Sequence, residues 1–360
     1  MTTNRPLAHH RFVLVLVILF TSPILHDGAK ATPLFRNPHP SSTTATTPLY
    51  RAEIVLAHPH STNSFTEGFG FVPRSLLGQN VNPVVYESTG LYHTDKPASI
   101  ALTDYHTDRA ILSRDLTRGL FAEGCTIGGQ ENKIIYLATL SSNKIFAFDA
   151  VTLQPTGIVH RFPSNSEILH GWGLTSNPDT QVLYVSDGTS QIHMVSIDPD
   201  QEEAIFVGTI HVHDGDTPIR ELNELEWVNG LIYANVLGQS CIVKILPETG
   251  DVVGWVSLAK ALQKYPHIGT NEVLLRQMNG IAYDPFSKVL LVTGKLWPLT
   301  FEIKEGVPLV GPTANQEINA CRPETMRKVD NSMIHAGINN KLPYISMMTD
   351  QEARENWQMK

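Results

Sequence analysis

Five short segments place acids or amides beside glycine and aromatic side chains, and they recur about every 50 residues. The segments are FTEGFGF (65–71), FAEGCTI (121–127), HGWGLTS (170–176), LNELEWV (222–228) and MNGIAYD (278–284). We align the segments on one glycine in each, and on Leu225 in the fourth segment, which has no glycine there. The residues just before the aligned position are then Glu67, Glu123, Trp172, Glu224 and Asn279. A carboxylate against aromatic side chains loses solvation, which raises its pKa toward neutrality and suits general acid–base catalysis.

Each of these segments precedes a pattern typical of a β-hairpin, in which two β-rich runs flank a short polar turn. The hairpins are anchored at Tyr86, Tyr136, Tyr184, Tyr233 and Leu291, with spacings of 50, 48, 49 and 58 residues. Five units of strand and turn predict a five-bladed β-propeller with four strands per blade. A β-sandwich would not keep this period, and β-helix repeats are much shorter. The repeat predicts one domain over residues 49–305.

The innermost strand of every propeller blade lines the central channel, and the five recurring segments are predicted to be those strands. Equivalent positions converge on one axis, so the acids and amides should meet Phe65, Phe121 and Trp172 at one mouth of the channel. Polar residues there would either perform acid–base chemistry or only hold water or a structural cation.

Nine stretches, in order along residues 50–305, resemble the plant-type glutaminyl-peptide cyclotransferase family. They are FTEG (65–68), YESTGLY (86–92), FAEG (121–124), GWGLT (171–175), SDGTS (186–190), NELE (223–226), YANV (233–236), NGIAYDP (279–285) and VTGKLWP (292–298). The resemblance implies a five-bladed propeller, the fold that the period predicts. It also implies an enzyme that converts the N-terminal glutamine of peptides or proteins to pyroglutamate and releases ammonia.

The resemblance further implies roles for individual residues. Glu123 matches the general acid–base residue, Asn223 and Lys295 match polar contacts to substrate, and Trp172 and Phe65 match an aromatic wall. We therefore predict a catalytic set of Glu123, Asn223 and Lys295. The predicted substrate-binding set is Phe65, Glu67, Phe121, Trp172 and Glu224. The chemistry needs no cofactor, although the family is expected to hold a structural divalent cation, calcium or zinc, inside the propeller.

The sequence departs from the family pattern at three positions. Glu67 replaces a glutamine, and Leu140 and Leu237 replace tryptophans. These departures keep open a propeller with weakened catalysis that acts as a secreted binding module. A calcium-dependent propeller hydrolase also stays open, because five residues could supply oxygen ligands. They are Glu67, Glu123, Asn223, Glu224 and Asn279.

Composition and the chain ends indicate where the protein acts. The net charge of −8 and pI of about 6.0 argue against nucleic acid as a partner. Residues 1–31 are typical of a secretory signal peptide, or of a signal anchor if the apolar residues 12–25 stay uncleaved. We expect a secreted or lumenal protein, with a membrane as a partner only in the anchored case. Residues 32–48 are predicted to be a disordered linker, and residues 306–360 a C-terminal extension.

Two further motifs allow structural interpretations. The three cysteines permit at most one disulfide, so that stability must come mainly from the core. The segment HVHDGD (211–216) is predicted to be either a polar loop between blades or a metal site. Asp187, in SDGTS, is predicted to form a turn.

Overall fold

The structure is a computed structural model that describes residues 46–78, 81–90, 97–140, 142–168, 170–266, 268 and 277–323. It is built mainly of β-strands, which confirms the all-β prediction. The predicted signal segment, most of the predicted linker and residues 324–360 lie outside these ranges. Over the described ranges, no helix combines the length and the apolar character needed to cross a membrane.

The strands are β1 (Leu49–Pro59), β2 (Thr66–Phe71), β3 (Val84–Thr89), β4 (Ser99–Asp104), β5 (Arg109–Asp115), β6 (Phe121–Gly128), β7 (Ile134–Leu140), β8 (Lys144–Asp149), β9 (Pro155–Arg161), β10 (Leu174–Ser176), β11 (Leu183–Ser186), β12 (Gln191–Ser196), β13 (Ile205–His211), β14 (His213–Asp214), β15 (Thr217–Pro218), β16 (Leu222–Val228), β17 (Leu231–Val236), β18 (Cys241–Ile245), β19 (Val252–Ser257), β20 (Met278–Asp284), β21 (Val289–Gly294) and β22 (Leu299–Glu305). The helices are α1 (Arg74–Leu77), α2 (Ala259–Leu262) and α3 (Pro312–Cys321), with a 3₁₀ turn at Gln130–Asn132.

The strands form sheets of consecutive antiparallel strands. Strands β2–β5, β6–β9 and β10–β13 each make a four-stranded sheet, and β14 and β15 form a small hairpin. The remaining strands form one eight-stranded sheet in the order β16-β17-β18-β19-β1-β22-β21-β20. Strand β1 joins its two halves, because it pairs antiparallel with β22 and parallel with β19. Strand β1 therefore completes a group of four strands with β20, β21 and β22, the last three strands of the chain.

Burial differs between the first and last strands of the four-stranded sheets. The first strands β2 and β6 are buried along almost their whole length, whereas the fourth strand β5 is mostly exposed. The first strands also contact one another in a ring: β2 touches β20 and β6, β10 touches β6 and β16, and β16 touches β20. The recurring segments predicted from the sequence thus meet at the centre of the described structure.

The segment after β22 contributes a helix that sequence periodicity did not predict. Helix α3 begins with Pro312, whose missing N–H is not needed at that position, and it buries Ala314 and Ile318 in the core. A disulfide joins Cys321 at the end of α3 to Cys241 of β18. Cys125 is free and buried, so the prediction of at most one disulfide is confirmed.

The segment HVHDGD forms the end of β13 and the β14–β15 hairpin, in agreement with the polar-loop interpretation. Asp214 accepts hydrogen bonds from the indole of Trp255 at 3.0 Å and from the guanidinium of Arg322 at 2.6 Å. It also accepts one from the hydroxyl of Thr47. Asp214 therefore ties the described ends of the chain, before β1 and after α3, to the body of the eight-stranded sheet.

We expect Cys321→Ser to lower the free energy of unfolding by about 4 kcal/mol, because the disulfide closes an 80-residue loop in the unfolded chain. Urea unfolding with and without a reductant measures this loss. Reduction should weaken the wild type and leave Cys321→Ser unchanged. Equal midpoints for the oxidised wild type and the variant would show that the crosslink does not stabilise the fold.

Candidate active site

The strands that contact one another in a ring, β2, β6, β10, β16 and β20, are the central strands. In four of these five strands the pairing is irregular at the same position. The register shifts between Thr66 and Gly68 in β2, Ala122 and Cys125 in β6, Leu222 and Leu225 in β16, and Met278 and Ile281 in β20. A β-bulge leaves a residue without a ladder partner and changes the direction of its side chain. The residues that begin these irregularities are Glu67, Glu123, Asn223 and Asn279.

The pairing register corrects the sequence alignment of the fourth segment. Leu225 pairs with Ala234 just as Cys125 pairs with Leu137 in β6, so Asn223 and not Glu224 is the equivalent of Glu123. Glu224 occupies the position that glycine holds in the other strands. Alignment on the glycines displaced this segment by one residue, whereas alignment on the apolar residue after the bulge would have placed it.

Glu224 is directed at the backbone of β20. Its Oε2 accepts the amide of Ile281 at 2.8 Å, and the side chain is completely buried. Burial raises its pKa well above the usual range, and the neighbouring charge of Glu226 raises it further. These contacts link β16 to β20, and the role of Glu224 as a substrate contact stays a prediction.

Glu67 lies in a buried ion pair with Lys295. The Lys295 ammonium is 2.6 Å from both carboxylate oxygens. Lys295 is 8% exposed and Glu67 is 1% exposed. Asn279 donates to Glu67 Oε2 at 3.1 Å, and Lys295 Nζ lies 4.5 Å from the centre of the Phe65 ring. The structure therefore brings together three predicted site residues, Phe65, Glu67 and Lys295.

The backbone around Lys295 is fixed to the beginnings of two central strands. Its amide donates to the carbonyl of Gln277 at 2.9 Å, just before β20. The next amide, that of Leu296, donates to the carbonyl of Ser64 at 2.8 Å, just before β2. Lys295 is thus held at the place where the first and last groups of strands meet.

Glu67, Lys295 and Glu123 form one cluster of charged residues, in which Glu123 is the second carboxyl group. It is buried, with 5% of its surface exposed. Burial raises its pKa well above the usual range; the charge of Glu67 raises it further, and that of Lys295 lowers it. Glu123 therefore keeps its proton to higher pH than a solvated carboxyl group does.

The Glu67 carboxyl titrates differently, although it is more deeply buried. Burial raises its pKa to about 7, and the charge and hydrogen bonds of Lys295 limit the rise. Two carboxyl groups and one ammonium thus share a buried site, and the charge of each carboxylate depends on its neighbours. These directions indicate that Glu67 and Glu123 interact and that Lys295 offsets their repulsion.

Aromatic rings border the cluster. Phe65 and Phe121 meet edge to face with ring centres 6.3 Å apart. Farther along the ring of central strands, Trp172 rests on Gly188, where a Cβ would come within 2.5 Å of the indole. Gly188 has φ of +80°, so glycine meets both the steric and the conformational requirement.

The turn that carries Gly188 is organised by Asp187, as predicted. Its carboxylate accepts the amide of Thr189 at 3.0 Å and the hydroxyl of the same residue at 2.6 Å. His193 Nε2 lies 3.0 Å from the other carboxylate oxygen. Asp187 therefore shapes the support for Trp172 and is not among the groups that surround Glu67.

Sequence reasoning missed a set of polar residues on the second strands, opposite the bulges. The hydroxyl of Ser88 donates to the carbonyl of Glu123 at 2.6 Å, and that of Ser186 donates to the carbonyl of Asn223 at 2.6 Å. Asn235 Oδ1 accepts the amide of Gly280 at 2.9 Å. Each side chain fixes the bulge of the next group of strands. Alignment of the second strands, not only the first, would have shown this recurring polar position.

The two leucines that replace family tryptophans lie beside the cluster or close to the central strands. Leu140 pairs with Phe121 across the β6–β7 ladder. Leu237 follows β17, and its amide donates to the carbonyl of Glu221 at 2.8 Å. Both side chains are half-buried, so that smaller apolar groups stand where the family pattern has indoles.

We expect Glu67→Gln to move the acidic limb of the pH dependence of kcat/KM to lower pH. The change removes the negative charge that raises the pKa of Glu123, and it releases Lys295, whose charge lowers that pKa. The base form of Glu123 then persists to lower pH. Since the substrate amine titrates identically with both proteins, comparison of the two profiles isolates the enzyme group. Superimposable profiles would show that the two carboxyl groups are not coupled.

Comparison with known proteins agrees with the resemblance predicted from the sequence. A family described as glutamine cyclotransferase matches residues 29–305. A glutaminyl-peptide cyclotransferase of Arabidopsis thaliana is 32% identical over 256 residues, which cover 70% of each chain. The crystal structure of Myxococcus xanthus glutaminyl cyclase aligns with a TM-score of 0.60 and 28% identity, covering 72% of this chain and 99% of the bacterial one. The matched region includes all five central strands and the Glu67–Lys295 cluster, and the chain belongs to the glutamine cyclotransferase family.

Proposed function

We propose that this glutaminyl-peptide cyclotransferase closes the N-terminal glutamine of peptides or proteins to pyroglutamate, with Glu123 as the acid–base residue. The observation that carries the assignment is the state of Glu123. It is a buried carboxyl group whose pKa is raised by burial, and it interacts electrostatically with both members of the Glu67–Lys295 ion pair. A buried carboxyl group with a raised pKa can both accept a proton and return it.

The reaction is intramolecular, so the protein mainly has to hold the folded-back substrate and move protons. The neutral α-amine attacks the side-chain amide carbon, and a new C–N bond forms. Glu123, as the carboxylate, accepts the proton that the amine nitrogen loses. It then returns this proton to the leaving nitrogen, the original C–N bond breaks, and ammonia departs.

The developing oxyanion needs a donor, and two predicted residues can provide one. Lys295 carries a positive charge within the cluster, beside Phe65. Asn223 stands at the position equivalent to Glu123 in β16, its Oδ1 has no hydrogen-bond partner among the described residues, and its side-chain NH₂ group is a hydrogen-bond donor. We assign Lys295 and Asn223 to this role.

The aromatic side chains supply the wall against which the substrate is held. Phe65 and Phe121 present flat apolar surfaces near the polar groups, and Trp172 presents one farther along the ring of central strands. A forming lactam ring is flat and can stack on such a surface. Leu140 next to Phe121 leaves more space than an indole would, and this supports acceptance of a bulky residue after the glutamine.

We also propose that the fold is the five-bladed propeller predicted from the sequence. The support is the ring of contacts among β2, β6, β10, β16 and β20, each of which begins a group of four strands. The eight-stranded sheet then consists of two blades that β1 joins through its parallel pairing with β19. A solution scattering profile that fits an open, unclosed arrangement of sheets would contradict this architecture.

Oxygen atoms near the channel are suited to a structural cation. Asn223 Oδ1 and Asn279 Oδ1 are buried, and neither has a hydrogen-bond partner among the described residues. Neutral amide oxygens of this kind suit calcium better than zinc. We propose that these two oxygens help to hold a calcium ion that stabilises the central strands.

Chelation is expected to lower Tm while activity at moderate temperature is largely retained, because the proposed reaction uses no Lewis acid. Differential scanning calorimetry and ammonia release, each with and without a chelator, separate the two effects. Complete loss of activity that metal restores, with an unchanged fold, would favour the calcium-dependent hydrolase instead. The ion pair argues against that alternative, since Lys295 already occupies both carboxylate oxygens of Glu67.

Ring closure can be tested directly with Gln-Ala, Glu-Ala and N-acetyl-Gln-Ala. We expect the full chain to release ammonia from Gln-Ala and to give a product lighter by one ammonia. The acetylated peptide, which lacks a nucleophilic amine, should not react. If Gln-Ala stays unchanged at high enzyme concentration while the peptide still binds, the protein is the binding module that its departures from the family pattern also allow.

A secretory location is the proposal that best fits the sequence and the cysteine chemistry. The pattern of residues 1–31 is typical of a signal peptide, and a disulfide between Cys241 and Cys321 requires an oxidising compartment to persist. Sequencing of the N-terminus of the mature protein distinguishes cleavage from anchoring. An intact residue 1 in protein recovered from the cytosol would contradict the proposal.

A further inference from the structure

We propose that His58, His106 and Glu302 form a zinc site at the junction between the β2–β5 sheet and the last strands, away from the Glu67 cluster. One potential ligand atom from each of the three side chains lies within 4.8 Å of the other two. Two imidazoles and one carboxylate are the ligands that zinc takes in many open sites, with solvent in the fourth position.

The three residues come from separate elements that the sheet brings together. His58 lies on β1, and Glu302 lies on the neighbouring strand β22. Glu302 pairs with Leu56, two residues before His58, so the side chains of His58 and Glu302 lie on one face as a diagonal pair. His106 lies in the turn that connects β4 and β5, in the next sheet.

The distances already approach those of a tetrahedral site. His58 Nε2 is 2.8 Å from Glu302 Oε1, and the rings of His58 and His106 are 5.1 Å apart between centres. Ligand atoms about 2.1 Å from a tetrahedral ion are separated by roughly 3.4 Å. The ion would therefore replace the His58–Glu302 hydrogen bond and draw in His106. His106 is exposed to solvent.

The remaining neighbours suit a metal site that is open on one side. Tyr105 packs its ring against His106 at 4.0 Å between centres, and its hydroxyl donates to Glu302 Oε1 at 3.4 Å. These contacts orient one ligand ring and one ligand carboxylate, as second-layer groups do in zinc proteins. His58 and Glu302 are largely buried, while His106 faces solvent, so the ion would be reached from the surface.

A zinc ion here would connect the N-terminal strand to a different sheet. Strand β1 is held by β22 and β19, both within the eight-stranded sheet, and His106 belongs to the turn after β4. Coordination would add a bond between the two sheets at the strand that completes the last group. The expected consequence is higher stability with little change in ring closure, because none of the three ligands belongs to the Glu67 cluster.

The test is a titration of the full chain with Zn²⁺ by isothermal calorimetry, with millimolar Ca²⁺ present to occupy calcium sites. We expect one saturable zinc site and a rise in Tm on zinc addition. His106→Ala should weaken zinc binding at least tenfold and abolish the rise in Tm, and Glu302→Gln should also weaken binding. Neither change is expected to alter activity with Gln-Ala. The matched control is His211→Ala, which removes an exposed histidine on β13 and should bind zinc like the wild type.

Cobalt provides a second measurement that does not depend on stability. Co²⁺ in a tetrahedral site of nitrogen and oxygen ligands gives a visible absorption band, which His106→Ala should lose and His211→Ala should keep. Absence of saturable zinc binding to the wild type would overturn the proposal. Equal zinc affinity in the wild type and His106→Ala would also overturn it, because the bound ion would then lie elsewhere.

Discussion

Glu123→Gln is expected to lower kcat/KM for a Gln-initiated peptide by about 10² or more, the usual effect of removing an acid–base group. The variant keeps the size of the side chain but can no longer accept a proton from the α-amine. The fold should persist, because the substitution introduces no new charge into this buried position. The Ser88 hydroxyl would still hold the backbone carbonyl of residue 123.

A second buried acid provides the matched control. Glu226 lies on β16, its pKa is raised to about 8 by burial, and its carboxylate accepts the amide of Tyr283 at 2.8 Å. Glu226→Gln can keep that hydrogen bond, so its activity should stay near the wild-type value. Steady-state ammonia release and thermal unfolding of both variants give the comparison. Near wild-type turnover in Glu123→Gln would remove this residue from the mechanism, and an equal loss in both variants would indicate a general effect of neutralising buried acids.

The repeat was predictable because hairpin patterns and turn residues are local signals. The period near 50 residues identified the central strands, and the resemblance placed Glu123 and Lys295 in the site. The alignment failed at Glu224 because a β-bulge is set by pairing between strands, and a one-residue shift has no local signature when glycine is replaced. The contribution of β1 to the last group of strands was not predicted, since it depends on a contact between distant parts of the chain.

Contacts between distant parts of the chain also determine the disulfide pairing and the partner of Lys295, which the sequence did not predict. The three cysteines allowed one disulfide, but only the packing of α3 against the eight-stranded sheet selects Cys241 and Cys321. Similarly, the sequence predicted Lys295 as a polar contact to substrate. The structure shows that Lys295 also forms an ion pair with Glu67. Glu67, which replaces the family glutamine, is therefore neutralised by Lys295. This pairing is compatible with catalysis at a site that carries glutamate at position 67.

Lys295→Met is expected to lower the free energy of unfolding at pH 8 by about 3–5 kcal/mol, the usual effect of removing one partner of a buried ion pair. Methionine keeps the length of the side chain and can still pack on Phe65, so the loss comes mainly from the unpaired Glu67 carboxylate. The size of the loss should depend on pH. Burial already raises the pKa of Glu67 to about 7 with Lys295 present, and without this lysine the pKa rises further.

The sign of the pH dependence follows from linkage. A carboxyl group whose pKa is higher in the folded state binds more protons there, so folding stability falls as pH rises from the unfolded pKa to the folded one. In the wild type this decrease ends near pH 7, whereas in Lys295→Met it continues to higher pH. The two proteins should therefore differ little at pH 5, where Glu67 is protonated in both, and most above pH 7.

The double variant Glu67→Gln/Lys295→Met separates the structural role of Lys295 from its catalytic role. It carries no buried charge at either position, so it should recover most of the stability at pH 8 and lose the pH dependence that Glu67 causes. Turnover should stay at least tenfold below that of Glu67→Gln, because the donor for the oxyanion is still missing. Urea unfolding at pH 5 and pH 8, together with ammonia release, measures both quantities. An equal stability loss at both pH values would contradict the ion-pair explanation, and full activity of the double variant would leave Asn223 as the group that stabilises the oxyanion.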